Sequence, residues 1–417
     1  MKTANNLIKI YPLDFIYRTL LATFPIALIF GNFFINLYIF LFSISFLVNI
    51  KKNKFIFKDT IFYLLCFFFI SLLVNVYFSL NPENSFPRVI KMFFIIFFIF
   101  EVKRLIQKYE KTYIKNVYKS WFLLFLILSI DIIFEIIFGY NMIGNKSYMP
   151  GRIASFFGDE LVIGAFYHGF VLFFLSYLIF KKTKIHILIF SIIFVLVISF
   201  FIGERSNFIK LFCAVIFFSS LVIQVNYKIK IISFITLMLT ISIILNLSNS
   251  YKIRYVDQIK TLLSLNGYSD YMKQSQYGAH RDTAIKIFKD NIIFGVGVKN
   301  FRYESSKKKY ENQEYTQTNM RQATHPHQVH HEFLSETGAF GYFCFVIFLI
   351  SSIYISLKNY LESKNLYQLS AIIFIITSLL PLLPSGSFLS TYTSGIFWLN
   401  FAVMNGYIKN KEYNNKV

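Results

Sequence analysis

Four of the seven histidines in this 417-residue chain lie within residues 325–331, directly before an apolar run. Histidine takes up a proton near neutral pH, so such a cluster is typical of a general base or of a metal site. The segment HPHQVHH, with Glu332 next to it, lacks the HExxH spacing of many zinc hydrolases. The residues therefore favour a catalytic base, without a metal or other cofactor, while a loop end at the lipid interface is the plainer alternative.

Arginine is distributed unevenly, and its distribution indicates an anion site. The chain has 9 arginines and 33 lysines, and lysine supplies almost every cation of the segments that we place in the cytoplasm. Seven arginines fall in segments that we place outside, and guanidinium groups bind phosphate in two-point fashion. Arg205 and Arg281 are the strongest candidates, and Arg321 is a further one. Contact with lipid headgroups or a structural Glu204–Arg205 pair is the alternative interpretation.

The composition indicates that these residues are carried by a membrane protein. The chain is 56% hydrophobic with 53 phenylalanines, and only 15% of it is charged, against about 25% in an average soluble domain. We therefore predict an all-α polytopic membrane protein with about 12 transmembrane helices and one long outer loop. The predicted spans are residues 13–30, 31–50, 60–80, 86–101, 120–139, 160–180, 185–203, 207–226, 229–248, 332–356, 367–384 and 387–407.

The basic residues predict the orientation of these spans. With a cytoplasmic N-terminus, the cytoplasmic segments carry 22 Lys and Arg residues and the short outer loops carry 5, as the positive-inside rule requires. The net charge of +21 thus serves orientation, and we expect no nucleic-acid partner. Both termini are predicted to be cytoplasmic, and the histidine cluster faces the other side.

The chain divides into three predicted regions. Residues 1–248 hold nine spans, residues 249–331 form the long outer loop, and residues 332–407 hold the last three spans. Asp131 and Glu135, one helical turn apart in the fifth span, are expected to be structural partners of an arginine or histidine. The loop is expected to carry a short amphipathic helix on the membrane surface, because four apolar residues recur at helical spacing: Ala284, Ile285, Phe288 and Ile292.

The segment HQVHHEFLSETGAFG resembles the signature of the O-antigen ligase and polymerase superfamily. That signature is a histidine, then Asn, Ser or Gln, nine residues, Gly, two residues, and Gly, Thr or Tyr. Here His327 and Gln328 begin it, and Gly338 and Gly341 end it. The turn at Arg205 and the segment RDTAIKIFKDNIIFGVGVKNF also resemble the family, so that the resemblance covers about residues 190–345.

The resemblance implies a membrane glycosyltransferase of the GT-C type that needs neither nucleotide nor metal. Such an enzyme moves O-antigen or a related glycan from undecaprenyl diphosphate to a lipid A–core hydroxyl, with inversion. The reaction takes place at the periplasmic face of the bacterial inner membrane. His327 is then the base, and Arg205, Arg281 and Arg321 bind the diphosphate. The supporting residues are His325, His330, Glu332, Gly338 and Gly341.

Two alternatives stay open at this point. A polymerase that extends lipid-linked repeat units has the same signature and is the nearest alternative. A transporter or flippase of polyprenyl-linked sugars belongs to another class, although the sequence shows no inverted repeat of the kind that many transporters contain. The sequence does not identify the donor sugar, the acceptor sugar, a different glycan acceptor or the oligomeric state.

Overall fold

The structure, a computed structural model, describes residues 12–51, 53–110, 113–257, 260 and 266–407. Within these residues the protein consists of helices, turns and loops, without a β-strand. Its α-helices are α1 (Pro12–Phe30), α2 (Asn32–Val48), α3 (Thr60–Tyr77), α4 (Pro82–Val89), α5 (Lys91–Tyr109), α6 (Ile114–Phe138), α7 (Ile163–Phe180), α8 (Ile185–Ile202), α9 (Arg205–Val222), α10 (Tyr227–Leu247), α11 (Asn249–Lys252), α12 (Gly267–Gln274), α13 (Gln276–Asp290), α14 (Phe301–Glu304), α15 (Val329–Ser363), α16 (Leu366–Ser378) and α17 (Thr391–Gly406). Shorter 3₁₀ turns are Lys54–Lys58, Ser155–Glu160, Lys308–Tyr310 and Thr318–Arg321, and Ile253–Asp257 is a π-helical turn.

A helix of the described part of the chain lies at each predicted span. Seven of these helices, α3, α6, α7, α8, α9, α10 and α15, are long and apolar enough to cross a membrane, and α2 and α16 are shorter apolar helices. The prediction of an all-helical polytopic membrane protein is confirmed. The predicted cytoplasmic termini fall largely on residues 1–11 and 408–417, which lie outside the described residues.

Helix α5 differs from the predicted fourth span, residues 86–101. It continues to Tyr109 through charged residues that the sequence pattern assigns to a cytoplasmic loop. Arg104 is buried there because its guanidinium group donates hydrogen bonds to Glu101 (2.7 Å) and Asp14 (2.8 Å). Paired charges can remain inside a helical bundle, so hydropathy alone predicts the helix end too early.

Two acidic residues of α6 position the loop that follows it. Asp131 accepts hydrogen bonds from Met142 N (2.8 Å) and Ser155 Oγ (2.5 Å). Glu135 accepts from Ala154 N (3.1 Å) and Ser155 N (2.6 Å). Both carboxylates are structural, as expected, but these partners are backbone amides and a serine and not the expected arginine or histidine. The carboxylates satisfy buried amides that the loop itself leaves without partners.

The long outer loop has a small apolar core of its own. Ala284 and Ile287 of α13 pack there with Val296, Phe301 and Tyr310. The predicted helix is present as α13, but its buried face is different from the predicted one. Four of the residues buried on it are spaced i, i+3, i+4 and i+7, and two of these are polar: His280, Thr283, Ala284 and Ile287. Hydropathy misassigns this face because it does not count a histidine among buried residues.

Candidate active site

A cavity of about 1010 Å³ lies where α7, α9 and the start of α15 meet the outer loop. Among the residues that the structure describes, five cationic side chains line it, and Glu204 is the single acidic residue. The cations come from four separate parts of the chain: Arg152, Arg205, Lys210, Arg254 and Arg281. Such a wall has an excess of positive charge and favours an anionic ligand.

Three of the arginines converge around the turn before α9. Arg152 Nη2 lies 3.1 Å from Glu204 Oε1, Arg205 Nη1 donates to the Arg254 carbonyl (2.8 Å), and Arg254 Nη2 donates to the Gly203 carbonyl (3.0 Å). Burial, followed by repulsion from Arg205 and Arg152, lowers the pKa of Arg254. Among the described residues of the cavity wall, these three guanidinium groups therefore lie near one carboxylate, that of Glu204.

Gly203 makes this convergence possible. Its φ is +77°, and a Cβ atom on it would lie 2.0 Å from the Gly151 carbonyl oxygen. Only glycine tolerates both conditions, so the turn after α8 can touch the turn that carries Arg152. The hydrogen bond from Ile153 N to the Ile202 carbonyl (3.2 Å) joins the same two turns.

His327 lies two residues before the start of α15 and lines the cavity. Its backbone has a φ of +53°, and its carbonyl accepts a hydrogen bond from Ser385 N (2.8 Å). Its ring centroid lies 4.1 Å from that of His325, 4.9 Å from that of His280 and 6.0 Å from that of Tyr277. A non-glycine residue in the left-handed region is strained, and here Ser385 holds it in that conformation.

His327 and His325 are neutral near physiological pH. Burial lowers the pKa of His327 to about 4, and the neighbouring His280 adds to the effect. Burial also lowers the pKa of His325 to about 3, with the charge of His327 as the next cause. His280 donates from Nε2 to the Met320 carbonyl (2.7 Å), which leaves its Nδ1 without a proton in the neutral ring. The imidazole of His327 is therefore available as a proton acceptor.

Two signature residues, Gln328 before α15 and Gly338 within it, determine where this helix begins and breaks. Gln328 Oε1 caps the helix by accepting from His331 N (2.8 Å). At Gly338 the helix is interrupted, with φ +66° and ψ −170°. The freed backbone groups bond the outer loop, since Val296 N donates to the Ser335 carbonyl (3.0 Å) and Ala339 N to the Ile292 carbonyl (2.7 Å). These bonds satisfy groups that a helix break otherwise leaves unpaired.

Glycine is required at both signature positions for steric reasons. A Cβ atom on Gly338 would lie 2.3 Å from the Ile293 carbonyl oxygen, and one on Gly341 would lie 2.4 Å from Thr337 Cβ. Gly295 can approach α15 closely only because neither Gly295 nor Gly338 has a Cβ atom at the contact. The GxG segment and the signature thus form one structural unit.

Glu332 clamps the α16–α17 loop onto α15 and does not line the cavity. Its carboxylate accepts from Ser387 Oγ (2.5 Å) and Phe388 N (2.9 Å). Lys299 Nζ donates to the same Ser387 hydroxyl (2.8 Å). Ser385 of this loop donates a hydrogen bond to the His327 carbonyl. The contact of Glu332 with the loop therefore also helps to fix the position of the candidate base.

The remaining predicted residues take different places. Arg281 lines the cavity and donates from Nη1 to Tyr268 Oη (2.9 Å). His330 also lines it, but both ring nitrogens have partners, Tyr342 Oη (3.1 Å) and the Leu379 carbonyl (2.9 Å). Arg321 is not brought to the cavity. It is buried in the outer loop, where its Nη1 donates to the Thr318 carbonyl (3.1 Å).

Sequence reasoning did not single out Arg152, Arg254, Lys210 or His280. Arg152 and Arg254 are among the seven arginines of the segments placed outside, so their residue type was a signal for anion binding. No pattern in the sequence near them indicates that they lie close to Arg205. Lys210 is a buried cation within the apolar helix α9, and charges in spans are functional candidates by default. His280 stands directly before Arg281 and reaches His327 only through the fold of the loop.

The arrangement can bind a phosphorylated ligand and accept a proton beside it. The cations offer charge-assisted hydrogen bonds to phosphate oxygens, and the neutral imidazole of His327 lies on the same cavity wall. Among the residues that the structure describes, no group of three or more His, Cys, Asp and Glu side chains is arranged to hold a metal ion. Acid–base and electrostatic chemistry is what these side chains themselves supply.

Comparison with known proteins agrees with this chemistry. Residues 161–346 match the model of a family described as O-antigen ligase. No curated protein sequence matches the chain. The match supports a membrane-embedded, glycosyltransferase-like enzyme of the ligase or polymerase type that uses a lipid-linked glycan. The matched region contains the candidate base and three of the cavity arginines, and over these residues the chain is similar to the O-antigen ligase family.

Proposed function

We propose that this protein is a lipid-diphosphate-sugar glycosyltransferase of the O-antigen ligase type. It transfers O-antigen or a related glycan from undecaprenyl diphosphate to a hydroxyl of lipid A–core. The reaction takes place at the periplasmic face of the inner membrane. The observation that carries the proposal is the single cavity that holds a neutral histidine and an excess of arginines.

The proposed reaction is one displacement at the anomeric carbon. The acceptor oxygen forms the new glycosidic bond, the bond to the diphosphate breaks, and the electron pair leaves on the phosphate oxygen. His327 takes the proton of the hydroxyl, and a single in-line displacement inverts the configuration. Arg205 and Arg281 stabilise the charge that grows on the leaving diphosphate, and Arg152 and Arg254 complete the cluster. No step in this scheme requires a general acid, because the diphosphate leaves as an anion.

The test measures glycan transfer by the purified full chain in detergent, with chelator present. The donor is undecaprenyl-diphosphate glycan and the acceptor is lipid A–core. We expect His327→Ala to lower the rate by about 10²–10⁴-fold, as for a lost general base. Arg205→Ala and Arg281→Ala are expected to lower it by about 10²–10³-fold, as for lost electrostatic stabilisation.

Matched controls separate these losses from general damage. His186 and Arg302 are exposed and do not line the cavity, so that His186→Ala and Arg302→Ala are expected to transfer glycan like the wild type. Longer lipid-linked glycan without transfer to the core would identify a polymerase. Full activity of His327→Ala would refute the catalytic assignment.

A further inference from the structure

Three tyrosines and one methionine form a wall of the cavity beside the candidate base. Tyr268, Tyr271 and Met272 belong to α12, and Tyr277 stands at the start of α13; all four line the cavity. None of them belongs to an apolar cluster within the described residues. Their place in the cavity lining makes these rings available to a ligand.

The backbone holds this aromatic wall, defined by Tyr268, Tyr271, Met272 and Tyr277, in a fixed place. Ser275 Oγ caps α13 by accepting from Gly278 N (3.1 Å). A Cβ atom on Gly278 would lie 1.6 Å from the Met272 carbonyl oxygen. Helix α12 therefore packs tightly against the start of α13. This contact fixes the position of the α12 side chains that line the cavity.

The wall is adjacent to both parts of the proposed chemistry. The Tyr277 ring centroid lies 6.0 Å from that of His327, with the ring planes at 78°. Tyr268 is 48% exposed, and its hydroxyl accepts the 2.9 Å hydrogen bond from Arg281. A ligand on this wall would thus touch the base at one end and a phosphate-binding arginine at the other.

Aromatic rings at such a place suit a sugar ring. One face of a pyranose presents C–H groups that pack on an aromatic face, while its hydroxyl groups reach polar tips. Tyrosine combines an apolar ring with a hydroxyl and has few rotatable bonds. A polyprenyl chain would not use the tyrosine hydroxyls, and a phosphate would not use the ring faces.

We propose that Tyr268, Tyr271 and Tyr277 form a stacking subsite for the saccharide ring next to His327. The inference rests on the proposed glycosyl transfer and specifies how one sugar of that reaction is held. This sugar carries the attacking hydroxyl if it belongs to the acceptor, and the anomeric carbon if it belongs to the donor. The saccharide rings of donor and acceptor have the same chemistry. The KM values measured separately for donor and acceptor distinguish the two cases.

The test varies donor and acceptor concentrations separately with the purified full chain. Removal of a ring in Tyr268→Ala or Tyr271→Leu is expected to raise KM for one saccharide substrate about threefold to tenfold, the range of a lost aromatic contact. Tyr268→Phe keeps the ring and loses only the bond to Arg281, so its KM stays near the wild-type value while kcat decreases. Tyr303 is 46% exposed and lies outside the cavity, which makes Tyr303→Ala the matched control.

The outcomes are distinct. A higher KM for lipid A–core alone assigns the subsite to the acceptor, and a higher KM for the donor alone assigns it to the first donor sugar. Unchanged KM values for both substrates in active Tyr268→Ala and Tyr271→Leu overturn the subsite and leave the proposed function intact. A folded wild-type enzyme that transfers no glycan overturns the proposed function, and the subsite with it.

Discussion

Three structural features of His327 are consistent with its proposed role as a base. Its backbone is held in the left-handed region, its ring lines the cavity, and burial keeps the imidazole neutral. The residue type and the signature identified it from the sequence. The strained backbone and the stack with His280 were not predictable, because they depend on Ser385 and on α13, which are distant in the chain.

The pH dependence of transfer follows from the lowered pKa of His327. Its ordinary value is about 6.5, and in the folded enzyme it is about 4. In the proposed reaction the unprotonated ring is the base, so kcat/KM is expected to fall only below about pH 5 and to be flat through neutrality. Rates measured from pH 4 to pH 9 check this. The residual rate of His327→Ala should lack this acid limb, and a wild-type limb near pH 6.5 would contradict the buried, neutral base.

The same shifts predict the pH dependence of stability. The unfolded chain binds protons on these histidines below about pH 6.5, whereas folded His327 and His325 stay neutral down to about 4 and about 3. Protonation therefore favours unfolding. The stability that these residues contribute is complete above pH 6.5 and is lost as the pH falls through their folded values. Thermal melting of the detergent-solubilised protein between pH 7 and pH 4 should show a falling midpoint.

Helix α15 is built from two helical pieces with different tasks. The piece from Val329 to Thr337 follows the Gln328 cap and carries the Glu332 clamp, and the piece after Gly338 continues as an apolar helix long enough to cross a membrane. The break is stabilised by the outer loop through Val296 and Ala339. The sequence predicted one helix here, because a glycine in an apolar run does not by itself reveal a break.

Replacement of Gly338 by alanine should disrupt both α15 and the loop. A Cβ atom would collide with the Ile293 carbonyl oxygen at a φ of +66°, so we expect the free energy of unfolding to fall by more than about 1 kcal/mol and transfer to be lost. Thermal melting and the transfer assay measure this. Gly31→Ala is the control, since Gly31 has a φ of +95° but nothing within 4 Å of its Cβ position. Equal damage in both variants would show that backbone strain alone, and not the contact with the loop, explains the effect.

The whole molecule places a charged network and the cavity in different regions of the bundle. The buried pairs around Arg104 and Asp14 join α1 to α5, while the cavity lies between α7, α9 and the outer loop. The helices and the class of protein were predictable from hydropathy, because length and composition suffice for them. The meeting of Arg152, Arg205 and Arg254 was not, since it depends on a contact between Gly151 and Gly203 that no local pattern shows.

The orientation of the molecule in the membrane remains a prediction that labelling can test. In a variant without Cys66, Cys213 and Cys344, single cysteines would be introduced as Asn145→Cys, Ser306→Cys and Lys182→Cys. A membrane-impermeant thiol reagent is expected to label the first two in intact spheroplasts, because the positive-inside rule places them outside. Lys182→Cys should react only after permeabilisation. The opposite pattern would invert the topology and place the cavity on the cytoplasmic side.

The break at Gly338 also gives a meaning to the number of residues in the signature. In an α-helix each residue adds about 100° of rotation and about 1.5 Å of rise, and residues 329–337 lie between the cap at Gln328 and the break. With both ends anchored, one inserted residue would turn Glu332 away from Ser387 by about a quarter of a turn. The rotation of this short helical piece relative to its two anchored ends is therefore set by the number of residues between them. A signature that specifies nine positions without specifying most of their side chains describes a spacer of fixed length and phase.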